Sequence, residues 1–204
     1  MRLENYKNPT LIETVLPRVE NKVLSAVKDT TLVLGFAILT GIAAQLKIEI
    51  GAIPITMQTL VVLLSGALLG SKKGLMSQFI YILGGLTTLP WFARGGGMAY
   101  ILSPTFGYIL GFVLAAYLVG ILTEKGWDRD IRTAVLAMLA GNVIIYIPGL
   151  LWLAKFVGIS KVLIVGFYPF ILGDVIKIFL AGLILSFSWK IINFTAKIKS
   201  PNIK

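Results

Sequence analysis

The sequence predicts an all-α integral membrane protein, folded as a bundle of six transmembrane helices. Of its 204 residues, 57% are hydrophobic and 14% are charged, whereas about 25% are charged in an ordinary soluble domain. Long apolar runs recur along the chain with Lys and Arg at their ends, a pattern typical of helices that cross a bilayer. The chain has no cysteine and no histidine, which excludes disulfides, imidazole metal ligands and a Ser–His catalytic pair.

The chain divides into an N-terminal segment, one membrane domain and a short tail. Residues 1–28 are mostly polar, and the first long apolar run begins after them, so no cleavable signal peptide is evident. The spacing of Leu11, Ile12 and Val15 suits an amphipathic helix that lies on the membrane surface or packs on the bundle. We expect the membrane domain over residues 29–197 and a cytoplasmic tail over residues 198–204.

The first predicted span covers residues 30–46. It carries Ala37 and Gly41 four residues apart, and small residues at this spacing let a second helix approach closely in lipid. Two interpretations stay open at this point: this face packs within the bundle, or it docks a second membrane protein.

The remaining predicted spans occupy residues 57–69, 75–89, 105–122 and 133–153, followed by a last helix that begins near residue 162 and runs on to about residue 197. Pro54 precedes the second span and disfavours helix before it. Thr56 is therefore a candidate N-cap for that span, and Gln58 lies in its first turn. Tyr81 in the third span and Tyr108 in the fourth span are further candidate site residues, since each carries a hydroxyl group within an apolar run.

Two polar pairs interrupt the last two apolar runs. Asn142 and Tyr146 lie one turn apart in the fifth span, and Asp174 and Lys177 lie three residues apart in the last helix, on one face. An ionisable residue inside such a run is costly and by default marks a functional site that faces the protein interior or a water-filled cavity. The alternative is a structural ion pair that holds two helices in register.

The distribution of Lys and Arg predicts the orientation in the membrane. Fourteen of the 19 fall on the side that holds both termini, four fall on the other side, and Lys177 lies within a span. By the positive-inside rule both termini are cytoplasmic. The net charge of +10 is thus a topology signal, and we do not expect a nucleic-acid surface.

With this orientation the polar residues converge on an outward-facing pocket. Asp174 and Asn142 together offer acceptors and donors for an amide or urea, and Lys177, or Arg94 at the rim, is a natural partner for a carboxylate. Such a pocket suits a small amphiphilic solute. Three glycines follow Arg94, but no Lys-Ser/Thr comes after them and no strand precedes them, which argues against a phosphate-binding loop.

Several ordered motifs resemble the BioY family of biotin-binding S components of energy-coupling factor (ECF) transporters. They are Gly51-Ala-Ile-Pro-Ile-Thr-Met-Gln58, Ser77-Gln78-x-x-Tyr81-x-x-x-Gly85, Pro104-Thr105-x-Gly107-Tyr108, Gly141-Asn142-x-x-x-Tyr146 and Gly173-Asp174-x-x-Lys177. The resemblance extends over about residues 30–190 and leaves the N-terminal 28 residues unexplained.

The resemblance implies a six-helix bundle in the plasma membrane that captures biotin from outside, together with one transmembrane T component and two cytoplasmic ATPases. It implies no cofactor, no metal and no catalysis. The Ala37 and Gly41 pair is similar to the docking motif of the family's first helix. Residue chemistry and resemblance together predict these substrate-binding residues: Thr56, Gln58, Tyr81, Arg94, Tyr108, Asn142, Tyr146, Asp174 and Lys177.

Two alternatives remain at this stage. An S component or solitary carrier for a different small vitamin has the same general pocket. A membrane-embedded enzyme acting on lipid needs a nucleophile with a base, and the sequence offers no convincing pair.

Overall fold

A computed structural model describes residues 8–16, 19–49, 51–87 and 89–199, with side chains as far as residue 195. Its helices are α1 (Leu11–Val15), α2 (Lys22–Gln45), α3 (Gln58–Leu69), α4 (Ser71–Thr87), α5 (Phe106–Glu124), α6 (Ile131–Val157), α7 (Val162–Gly166) and α8 (Ile171–Lys199). Two short strands, β1 (Lys47–Ile48) and β2 (Ile55–Thr56), pair antiparallel, and 3-10 helices cover Met98–Leu102 and Tyr168–Phe170. Most of the predicted tail and the first seven residues of the N-terminal segment lie outside the described residues.

Four helical segments in the described part of the chain are long and apolar enough to cross a membrane: Lys22–Gln45, Phe106–Glu124, Ile131–Val157 and Val162–Thr195, the last of which comprises α7, the turn after it and most of α8. These match the first, fourth, fifth and sixth predicted spans. The second and third predicted spans correspond to α3 and α4, which are shorter, with 12 and 17 residues. At 1.5 Å per residue, α3 is about 18 Å long, less than the roughly 30 Å of a hydrocarbon core.

The connection between α3 and α4 is tighter than the sequence predicts. We expected a loop from Gly70 to Gly74, but α4 begins at Ser71 directly after a single joint residue. Gly70 has a φ of +83°, a conformation that glycine adopts without a steric penalty. Glu124 at the end of α5 then accepts hydrogen bonds from the backbone N (2.7 Å) and hydroxyl (2.8 Å) of Ser71, which caps the new helix at once.

The predicted last helix is interrupted. The chain forms α7, then the 3-10 turn Tyr168–Phe170, and only then α8. Pro169 lies in this turn and has no backbone N–H to donate, so a continuous helix is disfavoured here. The break separates a short outer piece from the long helix that carries Asp174 and Lys177.

The helices approach closely where glycines face them. A Cβ on Gly66 of α3 would lie 2.2 Å from the carbonyl oxygen of Ala116 on α5, and one on Gly120 of α5 would lie 2.3 Å from the backbone N of Ser71. Lipid provides no hydrophobic drive for helix association, so such close contact of backbones is what holds a bundle together. α5 and α6 form its centre, and α3, α4 and α8 pack around them.

α2 lies at the edge of the bundle, with 17% of its apolar window buried against 44–56% for the other three long helices. Its small-residue face points inward. Ala37 is fully buried, and a Cβ on Gly41 would lie 3.0 Å from Cβ of Trp91. In this structure, therefore, Ala37 and Gly41 pack within the bundle, the first of the two interpretations that the sequence leaves open.

The described part of the N-terminal segment packs on the bundle. The backbone N of Asn8 donates to the Glu124 carbonyl at 2.9 Å, and Thr10 and Glu13 form a capping box at the start of α1. Lys73 of α4 lies 3.6 Å from Glu13 and 2.9 Å from Asp29 of α2. One lysine thus joins three elements at the end of the bundle that holds the α3–α4 joint.

We expect Gly66→Ala to destabilise the bundle, because the added methyl group meets backbone rather than a movable side chain. Overpacking of this kind lowers the free energy of unfolding by about 1–3 kcal/mol. Thermal unfolding in detergent measures it. Gly35→Ala is the matched control: it lies in α2 with nothing within 4 Å of its added Cβ, so its midpoint should stay unchanged or rise. Equal midpoints for Gly66→Ala and the parent chain would contradict the close approach.

Candidate functional site

A cavity of about 560 Å³ of empty volume, including its open mouth, lies between α3, α5, α6 and α8. Its mouth is formed by the loop before α3 and by the loop after α4. Most of the lining is apolar or aromatic, and it comprises Ile53, Pro54, Thr56, Gln58, Thr59, Ala93, Tyr100, Thr105, Tyr108, Ile109, Phe112, Asn142, Ile145, Tyr146, Phe170, Asp174 and Lys177.

The Asp174 carboxylate is the centre of the polar groups in this cavity. Its Oδ2 accepts from Asn142 Nδ2 at 3.1 Å and from the Tyr146 hydroxyl. Its Oδ1 accepts from Lys177 Nζ at 3.2 Å, and Lys177 also donates to Thr59 Oγ1 at 3.1 Å. The cluster therefore draws one side chain from α3, two from α6 and two from α8.

Burial makes these contacts obligatory. Asp174 and Lys177 are only 5% and 7% exposed, and a buried charge is tolerated only when it is paired and hydrogen-bonded. The pair is formally neutral. A formally neutral cluster of this kind can exchange hydrogen bonds with a ligand group that carries donors and acceptors but no charge.

One acceptor of the cluster has no partner. Asn142 donates to Asp174, while its buried Oδ1 has no hydrogen-bond partner among the residues that the structure describes. An unsatisfied buried acceptor costs roughly 1–3 kcal/mol. Since Asn142 lines the cavity, a ligand N–H is the group that would satisfy it.

A second polar group lines the opposite wall, at the start of α3. Thr56 Oγ1 donates to Gln58 Oε1 at 3.0 Å, and the backbone N of Gln58 donates to Thr56 Oγ1 at 3.2 Å. The prediction of Thr56 as the N-cap of α3 is wrong by one residue: Met57 is the N-cap and makes no side-chain cap hydrogen bond, while Thr56 lies just before it and accepts from the backbone N of Gln58. Gln58 Nε2 donates to the Tyr81 hydroxyl at 2.7 Å. Tyr81 itself lies behind Gln58 and is not part of the lining.

Aromatic rings form the remaining wall. The ring of Tyr108 meets that of Tyr146 edge to face, with centroids 6.0 Å apart, and Tyr146 meets Phe167 in the same way at 5.0 Å. The Tyr108 hydroxyl donates to the Gly166 carbonyl at 2.8 Å, so it is used to fix α7 against α5. Its ring, rather than its hydroxyl, is the surface offered to a ligand.

Arg94 lies outside the cavity lining, where it joins the two loops of the mouth. Its Nε donates to Glu49 Oε2 at 3.0 Å, and its other nitrogens donate to the carbonyls of Gly51 (3.0 Å) and Ala52 (2.9 Å). Lys47 donates to the Ala93 carbonyl. These contacts hold the two loops together at the mouth. Each loop contributes a residue to the cavity lining, Ile53 from the first and Ala93 from the second.

Seven of the nine predicted substrate-binding residues thus line one cavity, namely Thr56, Gln58, Tyr108, Asn142, Tyr146, Asp174 and Lys177. Tyr81 and Arg94 support it from behind and from the rim. Sequence analysis missed Thr59, which holds Lys177, because a threonine inside an apolar helix carries no signal of its own. Phe112 and Ile145 were missed because apolar lining residues look like ordinary core residues.

The model of the family described as "BioY family" matches residues 16–194 of this chain. A probable biotin transporter BioY from Pyrococcus horikoshii is 40% identical over 151 residues, which are 74% of this chain and 89% of the relative. The biotin transporter BioY of Thermotoga maritima is 38% identical over 151 residues, 73% of this chain and 88% of the relative. A crystal structure of the S-component for biotin from an ECF-type ABC transporter is similar, with a TM-score of 0.70, 27% identity and coverage of 83% of this chain and 93% of that chain.

Glu49 holds the two mouth loops together through its contacts with Arg94 and Lys47, and we call this set of contacts the clasp. The clasp should depend on pH. The hydrogen bond from Arg94, and then that from Lys47, lowers the pKa of Glu49 below its ordinary value of 4.5. The carboxylate therefore stays ionised and clasped above pH 4.5, and the clasp is lost as the pH falls through the lowered pKa. We expect Arg94→Gln to return the pKa of Glu49 towards its ordinary value, as followed by NMR of ¹³C-labelled glutamate carboxyls. Lys47→Gln is the control and should return it by less; a larger return for Lys47→Gln would contradict the assignment.

Proposed function

The chain belongs to the BioY family, and from this membership and the geometry of the cavity we propose that it is the S component of an ECF transporter and binds biotin for uptake. It is a transport component and not an enzyme. The observation that carries the proposal is the neutral buried cluster around Asp174, with an open acceptor on Asn142, in an otherwise apolar cavity.

The ureido head of biotin complements this cluster group by group. It has two N–H donors and one carbonyl acceptor beside an apolar bicycle. One N–H donates to the open Oδ1 of Asn142, the other donates to Asp174, and Lys177 donates to the ureido carbonyl. The bicycle then packs against the rings of Tyr108 and Tyr146, as an apolar body does beside a few convergent polar groups.

The valerate carboxylate points to the mouth in this arrangement. The cluster is formally neutral and its cation is already paired with Asp174, so a second carboxylate there would be left uncompensated. At the mouth, Ala93 lines the cavity and Arg94 follows it in the chain. Arg94 then exchanges part of its contact with Glu49 for the ligand carboxylate, and bidentate pairing suits a guanidinium for this role.

We also propose that six segments cross the plasma membrane, with both termini in the cytoplasm. They are α2, α3, α4, α5, α6 and the segment formed by α7 and α8. Two observations support this. The positive-inside count places the α3–α4 joint, the α5–α6 connection and both ends of the chain on one side. The loop before α3 and the loop after α4 both lie at the opposite end of these helices, where Arg94 joins them.

The proposed partners are a transmembrane T component and two cytoplasmic ATPases, with α2 as the docking helix. Its outward face is the least buried of the long helices. Ala37 and Gly41 are covered by α4 and Trp91 in this structure, so they join such an interface only if Trp91 moves. Co-expression with an ECF T component and its ATPases tests the assembly: a stable complex is expected, and its absence with a folded S component would contradict it.

We expect Asp174→Asn and Lys177→Ala each to weaken biotin binding, because each leaves a buried partner unsatisfied. The loss should be about 1–3 kcal/mol, or roughly 5- to 150-fold in Kd. Isothermal titration of the purified chain with biotin measures it. Val175→Ala, an exposed position on the same helix, is the control and should keep the parent affinity.

Biotin methyl ester keeps the ureido group but lacks the free carboxylate, so it shows which end of biotin each residue binds. If the ureido group binds the cluster, the two variants lose affinity for biotin and for the ester alike, whereas Arg94→Gln loses affinity for biotin only. The opposite pattern would reverse the orientation. No saturable binding of biotin by the folded parent chain, or full competition by an unrelated vitamin, would overturn the proposed function itself.

A further inference from the structure

A second polar contact fastens α8 at the end of the bundle opposite the cavity. The Trp189 indole Nε1–H donates to Asp128 Oδ2, and Arg129 lies over the Trp189 ring with its Cζ 4.8 Å from the ring centroid. Asp128 and Arg129 belong to the connection between α5 and α6. This contact lies outside the lining of the ligand cavity described above.

The Asp128 side chain is built into the protein interior. It is 1% exposed, and Trp189 is 5% exposed. The other oxygen, Oδ1, is buried with no hydrogen-bond partner among the described residues. Burial raises the pKa of Asp128, although Trp189 and Arg129 act against the rise. Leaving a buried polar atom unsatisfied is costly. The presence of a carboxyl group at this buried position therefore indicates that Asp128 has a structural or functional role.

α8 packs closely against the bundle between Asp174 and Trp189. Ala181 and Gly182 face the bundle there, and a Cβ on Gly182 would lie 2.7 Å from Cγ2 of Val135 on α6. Ile178 and Leu185 are buried in the same core, so steric packing contributes to the position of α8, while lipid adds no hydrophobic drive for the association. Directional polar contacts add to this packing in fixing where α8 lies along α6.

Those contacts stand at the two ends of the α6–α8 pair. Asn142 and Tyr146 hold Asp174 at one end, and Asp128 holds Trp189 at the other. Trp189 follows Asp174 by 15 residues, about 22 Å along a helix. One fixed point determines the height of the helix at that contact but leaves its tilt open, whereas two fixed points at this separation determine both.

We propose that Asp128 is a positioning residue for the ligand site, acting through Trp189 to set the register of α8 and so the placement of Asp174 and Lys177. A binding constellation must be held to within about 0.5 Å by its supporting contacts. A shift of α8 by a fraction of a turn would part Asp174 from Asn142 and Lys177 from Thr59. The idea rests on the proposed function only for its ligand; the geometric part stands by itself.

The binding test compares three variants of the full-length chain in lipid nanodiscs. Asp128→Ala removes the acceptor and Trp189→Phe removes the donor, and each should raise the Kd for biotin about tenfold, which lies within the range by which residues that do not touch a ligand alter its affinity through the residues between them. Asp128→Asn keeps a neutral acceptor for the indole and should stay within about threefold of the parent, since a retained acceptor restores the bond.

Ser71→Ala is the matched control for a loss of stability alone. It removes a hydroxyl contact with Glu124 at the same end of the bundle, but it touches neither α8 nor the cavity. Its thermal midpoint should fall while its Kd for biotin stays that of the parent. Folded Asp128→Ala or Trp189→Phe with the parent Kd would overturn the proposal, and so would an equal loss of affinity in Asp128→Asn. If Asp128→Ala does not fold, Trp189→Phe decides.

A distance measurement separates this idea from the identity of the ligand. The chain has no cysteine, so spin labels can be placed at Leu114→Cys on α5 and Ile176→Cys on α8, which are 55% and 53% exposed. Without any ligand, Asp128→Ala and Trp189→Phe should shift or broaden the distance distribution, and Asp128→Asn and Ser71→Ala should not. An unchanged distribution in the first two variants would overturn the positioning role even if the parent chain binds no biotin.

Discussion

The structure depends on keeping the Asp174 carboxylate partnered in surroundings that cannot solvate a charge. Its donors come from α6 and α8, and Thr59 of α3 holds the Lys177 ammonium group. The contacts that make the buried charge tolerable therefore also assemble three helices around one cavity. The same requirement brings Asn142 into the wall of this cavity, with its Oδ1 buried and without a hydrogen-bond partner among the described residues.

Close steric packing at glycines stabilises the rest of the helix bundle. Gly66 lies against Ala116, and Gly111 of α5 lies so close to Ile145 of α6 that a Cβ would be 2.8 Å from its Cα. In lipid such contacts supply dispersion energy without any hydrophobic drive. On α8, Ile178 and Leu185 pack into the same core, and polar contacts near Asp174 and Trp189 add directional constraints to this packing.

The mouth of the cavity is a product of two loops that meet only in the folded chain. Glu49 and Arg94 are 45 residues apart in sequence, and no local pattern pairs them. The sequence marks Arg94 as a cation at the rim, but it contains no signal that the guanidinium turns to Glu49 and to loop carbonyls. Pro169 is a different case: a proline removes a backbone donor by a local rule, and the last helix, predicted to be continuous, is broken there, whereas α6 continues through Pro148.

The sequence by itself determined the membrane class, the order of the helices and the polar residues that make up the site. Hydropathy and the three-residue spacing of Asp174 and Lys177 are local properties that can be read from a short stretch of sequence. A charged residue within a membrane span is costly, so its presence is informative. Only the tertiary structure decided that Tyr81 lies behind Gln58, that Ala37 faces inward and that Asp128 reaches Trp189. Which face of a helix meets which neighbour depends on steric fit and hydrogen bonds between residues far apart in the chain, and periodicity within one helix does not contain that information.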